Sequence, residues 1–133
     1  MMDPLLIDRA VLEYQKADVD LLKYDDSNAD LPFNCYLIKV SALEKVCQQK
    51  KETDTEVWFK HFSSNPDLKI GNIDIEDEYR HKTLKTSLDY PEDYDFIKCV
   101  FAELYRQDTV FSILEIIDLV KRRPYIFHIN ANS

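Results

Sequence analysis

With 133 residues, 45% of them hydrophobic, the chain has enough apolar material for a buried core and reads as a single globular domain, residues 1–133. Its one glycine argues against a glycine-rich phosphate loop, and its net charge of −8 argues against nucleic acid or an anionic membrane surface as a partner, although a nucleotide site needs only a few local cations. The three cysteines, Cys35, Cys47 and Cys99, include no C-x-x-C pair, so neither a zinc knuckle nor a disulfide framework is expected, and each reads as a free, buried thiol.

The chain opens on a helix, with Asp3 as N-cap, Pro4 at the first helical position and Leu6, Ile7, Ala10, Val11 and Tyr14 on one face up to about Lys16. A start so close to a helix cap suggests that something precedes it. The apolar run Leu5-Leu6-Ile7 is too short for a signal peptide and no run would span a bilayer, so a cytoplasmic, reducing location is expected. A short strand at Val19–Tyr24, a polar loop and a strand at Phe33–Val40 follow. Ser41 with Glu44 makes a capping box for a helix that turns Leu43, Val46 and Cys47 inward. After a charged connector, Thr53 with Glu56 makes a second box, opening a helix to about Ser63. Its Trp58, Phe59 and Phe62 suit either a sugar or base pocket or, as large burial groups, the core. His61 on the same helix lacks metal-ligand spacing and reads as a surface or packing residue. Asn65-Pro66-Asp67 is a turn, and Leu68 to Ile75 reads as one strand bulged at Gly71-Asn72 or as two short strands.

The acidic runs Asp18 to Asp30 and Asp74 to Glu78 read as solvated loops rather than ion sites. Leu84, Thr86 and Leu88 alternate with Lys85 and Ser87, the pattern of a half-buried strand. That strand leads to Pro91, which opens a helix with Glu92, Asp93 and Asp95 in its first turn. Phe96, Ile97, Val100, Phe101 and Leu104 form its apolar stripe, and it runs to about Gln107. Asp89 thus stands between a strand end and a helix N-terminus, a place where α/β folds often hold functional groups. It reads as a metal-binding carboxylate or as an acid that only helps cap the helix. Ser112 with Glu115 opens another helix, with Ile113, Ile116, Ile117 and Val120 inside. Its closing Lys121-Arg122-Arg123 matches the negative end of the helix dipole, or alternatively binds phosphate. Pro124 stops it, and the tail carrying Ile126, Phe127 and Ile129 packs back on the domain. The elements sum to an α/β domain with a small mixed sheet of about four strands flanked by helices.

The stretch Leu84 to Tyr94 (L-K-T-S-L-D-Y-P-E-D-Y) resembles the L-R-x-T-V-D-T-P-E-D-Y segment of the spore coat polysaccharide biosynthesis proteins, relatives of the acylneuraminate and KDO cytidylyltransferases. Asp3 to Asp8, Ser41 to Lys45, Asn65-Pro66, Phe111-Ser112 and Pro124 to Asn132 are similar, in order, to that family's D-P-x-L-I-D, A-L-E-K, N-P, F-S and P-E-L-x-x-I-N-A segments. The resemblance implies the C-terminal half of a nucleotide-diphospho-sugar transferase fold, without the Rossmann-like N-terminal half and its nucleotide loop. In the complete enzyme Asp89 would hold Mg²⁺, and Lys85 would contact a phosphate or an acid sugar. Asn34 and Tyr36 stand where the family has acids, Val57 where its helix has a histidine, and Tyr90 where it has a threonine cap.

The resemblance therefore implies no catalytic residue in this chain, no cofactor bound by it, and a portion of a CMP-sugar synthase for cell-surface polysaccharide that is inactive alone. Partners would be a second copy, as a homodimer, or a separate nucleotide-binding subunit. A non-catalytic interaction protein and a drifted remnant stand as the alternatives.

Overall fold

The computed structural model describes residues 1–53 and 56–131. They gather into two units, one formed by Met1–Ile7, Asp26–Asn34 and the chain from Ile75 onward, the other by Asp8–Asp25 and Cys35–Asp74. Helix α1 (Pro4–Lys16) begins at the proline, as the sequence predicts, because Asp3 Oδ1 accepts the Leu5 N–H at 3.0 Å and satisfies one of the first-turn donors.

The second unit holds the sheet, a mixed one of three strands among the described residues. Strand β1 (Leu21–Tyr24) is central, β2 (Tyr36–Ile38) runs antiparallel to it and β3 (Ile70–Ile73) parallel. The register sets Leu21 opposite both Ile38 and Ile70. Strand β3 passes straight through Gly71-Asn72 with every residue paired to β1, so the expected bulge does not form. Close packing favours glycine there, since a Cβ on Gly71 would lie 2.9 Å from Leu22 Cδ1 and 3.1 Å from Val19 Cγ1 and those side chains would have to shift.

Helix α2 (Val40–Gln49) starts ahead of the predicted cap: Lys39 is the N-cap, without a side-chain bond, and Ser41 falls inside the first turn. The buried face is accordingly Ala42 and Val46, whereas Leu43 and Cys47 are exposed. Only one turn of the next predicted helix is helical, α3 (Lys60–Ser63), after turns at 56–59; the segment just beyond the Thr53 cap lies outside the described residues. Leu21, Ala42, Val46 and Phe62 form the core, with Tyr36, Trp58 and Phe59 packed on it. Trp58 stands edge-on to Tyr36 and Phe62 at 4.9 and 5.7 Å between ring centres, so these aromatics are core rather than pocket lining. His61 is a packing residue, its side chain mostly buried with Nε2 3.8 Å from a Glu52 oxygen. All three cysteines are free, Cys35 and Cys99 half-buried and Cys47 exposed, which corrects the expectation of three buried thiols.

The first unit is helical. It contains a 3-10 turn (Asp77–Tyr79), α4 (Pro91–Leu104), α5 (Ile113–Arg122) and the short α6 (Pro124–Phe127). Phe96, Val100, Ile116, Leu119 and Ile126 are its most buried apolar groups. The predicted box at Ser112 and Glu115 forms, and Asp3 adds a second acid there: its Oδ2 accepts the Ile113 N–H at 3.0 Å, so one carboxylate serves the starts of α1 and α5. Arg122 pairs with Asp118 and Arg123 with Glu103, the charge-matched terminus rather than a phosphate cradle. Helix α4 stops at Leu104, short of Gln107, because Tyr105 is extended. Asp30, the end of an acidic run expected to be a solvated loop, instead forms a mostly buried ion pair with Arg80 at 2.6 Å. No helix among the described residues is long and apolar enough to cross a membrane.

Candidate functional site

The predicted strand at 84–88 does not form. Leu84 and Thr86 are buried and the stretch is irregular, but its polar groups go to side chains and distant loops instead of a neighbouring strand. The Lys85 carbonyl accepts from Asn130 Nδ2 at 3.1 Å, and the Thr86 hydroxyl donates to the Pro32 carbonyl. Asp89 therefore stands at the end of an irregular segment, directly ahead of the Tyr90 N-cap of α4.

The centre of this segment is Asp93, which is fully buried. Its Oδ2 accepts the Asp89 and Tyr90 N–H groups, each at 3.0 Å, and the Lys85 ammonium at 2.9 Å. Its Oδ1 accepts Asn130 Nδ2 at 2.9 Å. Burial opposes the charge, but Lys85, Asn130 and the two amides outweigh it and hold the Asp93 carboxyl well below the usual carboxylate range. The bond to Asn130 is the link that the sequence did not offer, because the asparagine lies 37 residues on in a tail read only as apolar packing. Asp93 itself was legible as a first-turn acid. Its burial was not.

Lys85 is held from three sides. Its Nζ lies 2.9 Å from Asp93 and 3.4 Å from Asp89, and 4.7 Å above the centre of the Tyr90 ring. The Asp93 hydrogen bond is the main cause that raises its pKa, with Asp89 adding and desolvation opposing. Its stem borders a cleft of about 410 Å³ that also takes in Asn34, His81, Thr83 and Ser87. Thr83 sits in the left-handed region at φ 68°, a strained conformation for a β-branched residue.

Asp89 is exposed. Its Oδ2 accepts the Ser87 hydroxyl at 2.8 Å and faces the Lys85 ammonium. Mg²⁺ takes a near-octahedral set of oxygens. A lone carboxylate with an ammonium against it does not supply that set, and among the described residues no three His, Cys, Asp or Glu side chains are grouped to hold a metal. The residues described here do not fit a magnesium ion on their own. Phosphoryl chemistry needs cation clamping of a triphosphate, and here the one lysine of the cluster is already neutralised by two acids.

No protein-family model matches the chain. No curated protein matches it either. Among solved structures, a cytidylyltransferase from Leptospira borgpetersenii serovar Hardjo-bovis (strain JB197) matches with a TM-score of 0.76 at 18% identity, over 99% of this chain and 55% of its own. The chain thus has the mixed α/β fold of part of a cytidylyltransferase and spans about half that protein's length.

Proposed function

We propose that this chain serves as the C-terminal portion of a sugar nucleotidyltransferase that makes CMP-sugars for cell-surface polysaccharide, inactive by itself and self-associating. The likeness of nearly the whole chain to 55% of a cytidylyltransferase carries the reading. The ordered family segments from Asp3 to Asn132 support it, and so does the cluster at the start of α4, where Asp89 is exposed while Asp93 is buried. On this reading the Lys85–Asp89 edge becomes part of a ligand site only beside a nucleotide-binding half. Fold alone does not assign chemistry, so the test addresses the ligand directly.

The test is thermal unfolding with CTP, Mg²⁺ and an acid sugar, singly and together. A ligand present at a hundred times its dissociation constant adds about 2.7 kcal/mol to a folded state that alone binds it. The expected outcome is an unchanged melting temperature in all samples. A clear rise with CTP refutes the proposed inactivity of the chain alone.

A further inference from the structure

At the start of α4 two carboxylates converge on one point. Asp93 and Asp89 each turn an Oδ2 toward it, and the Lys85 ammonium fills it, 2.9 Å from the first and 3.4 Å from the second. Carboxylate oxygens meeting at a point are how proteins hold a hard divalent ion. Here the point is taken by a cation of the chain's own. Lysine suits the place, because its ammonium is a compact point charge with three donors.

The ammonium is firmly seated. Asp93 is fully buried, and taking away the cation of a buried pair is strongly unfavourable. The Tyr90 ring backs the ammonium at 4.7 Å from its centre. Nor does Asp93 offer an arriving metal ion a ready oxygen. Its Oδ2 already accepts the Asp89 and Tyr90 N–H groups at 3.0 Å, and its Oδ1 accepts Asn130 Nδ2 at 2.9 Å.

Asp89 alone is a poor substitute. Its Oδ2 accepts the Ser87 hydroxyl at 2.8 Å, and any cation bound to that oxygen would stand beside the Lys85 charge. Two like charges at that separation repel strongly in a partly desolvated setting. Mg²⁺, which needs oxygens at about 2.0–2.1 Å and gives up its water reluctantly, gains too little from one carboxylate to displace the lysine.

We infer that Lys85 is the resident cation of this cluster: its ammonium occupies, between Asp89 and Asp93, the place that a divalent ion would take, and so closes Asp89 to metal. This departs from the magnesium role that the family resemblance implies for Asp89. On the function proposed above, a metal serving the chemistry would have to be held by the nucleotide-binding half. The inference itself rests on the geometry of the cluster and not on that reading.

The experiment uses the metal alone. Mn²⁺, a paramagnetic stand-in for Mg²⁺, is titrated into the isotope-labelled chain to about 10 mM, enough to fill a site of millimolar affinity, and the amide resonances are followed. In the parent chain the amides of Ser87, Asp89, Tyr90 and Asp93 should fade no more than that of Asp77, an exposed acid in another segment. Lys85→Met should make the first group fade selectively, several-fold more than Asp77 and to saturation. Lys98→Met removes the same charge from an exposed position of α4 and should behave as the parent. A further measurement needs no variant: the Lys85 Nζ resonance should stay in place when Mg²⁺ is added to about 10 mM. Selective fading in the parent, a shift of the Lys85 Nζ resonance with Mg²⁺, or a folded Lys85→Met chain no more responsive than the parent overturns the inference. If Lys85→Met does not fold, the two measurements on the parent decide. A CTP effect on melting leaves the inference standing, and its failure leaves the proposed inactivity of the chain alone untouched.

Discussion

Asp93 is where local and distant chemistry meet. The carboxylate takes two N–H groups from the turn it caps, an ammonium from Lys85 and an amide from Asn130, and it has no contact with solvent. Asp93→Asn keeps the shape, removes the charge and leaves a mostly buried lysine with only Asp89. The expected cost is about 3 kcal/mol in denaturant unfolding, the low end for a broken buried pair because Asp89 and some solvent remain. Asn130→Ala removes the amide's bonds to both the Lys85 carbonyl and Asp93 Oδ1 and should cost about 1–3 kcal/mol or more. The pH dependence follows from the sign of the shift. The folded-state pKa of Asp93 is depressed, so its contribution is fully present above the unfolded value near 4 and is lost as pH falls below it. The parent chain should lose stability steeply below about pH 4, and Asp93→Asn should flatten that slope without altering it above pH 6. Equal acid slopes in the two proteins would show that Asp93 is not the group responsible.

At the scale of elements, strand β3 shows how little room a single added carbon would find beside β1. Gly71→Ala trades a gain of up to about 1 kcal/mol in chain entropy against contacts at 2.9 and 3.1 Å with Leu22 and Val19, and Leu22 is buried with little room to move. We expect a net loss of about 1 kcal/mol by urea denaturation; a more stable variant would mean that the sheet gives way easily. The same elements show what the sequence could disclose. Starts at Pro4, Pro91 and Ser112 were legible because proline and capping acids act within one turn. Ser41 misled because Val40 joins the helix and takes the hydroxyl out of the cap position. Leu84 to Leu88 misled because alternation reports which side chains are buried, not whether the backbone finds another strand or an asparagine.

For the molecule as a whole, the charge of −8 is a standing repulsion that favours expansion. Raising salt from about 10 to 150 mM shortens the Debye length from roughly 30 to 8 Å, so the melting temperature should rise by a few degrees. A fall would show that the exposed ion pairs outweigh the excess acid. The α/β class was legible from the order of capping boxes and alternating runs, whereas the cluster at the start of α4 was not, because Asn130 reaches it from a segment with no signal beyond its apolar neighbours. Asp3 spans a longer gap, 110 residues to the amide of Ile113. A ribosome delivers chain in one direction only. The unit of residues 8–25 and 35–74 is complete in the nascent chain while Asp3 still waits for Ile113, and the lock on Asp93 must wait longer still for Asn130. A polypeptide released before residue 113 would therefore hold every residue of the sheet and lack the partners that fasten Asp3 and Asp93.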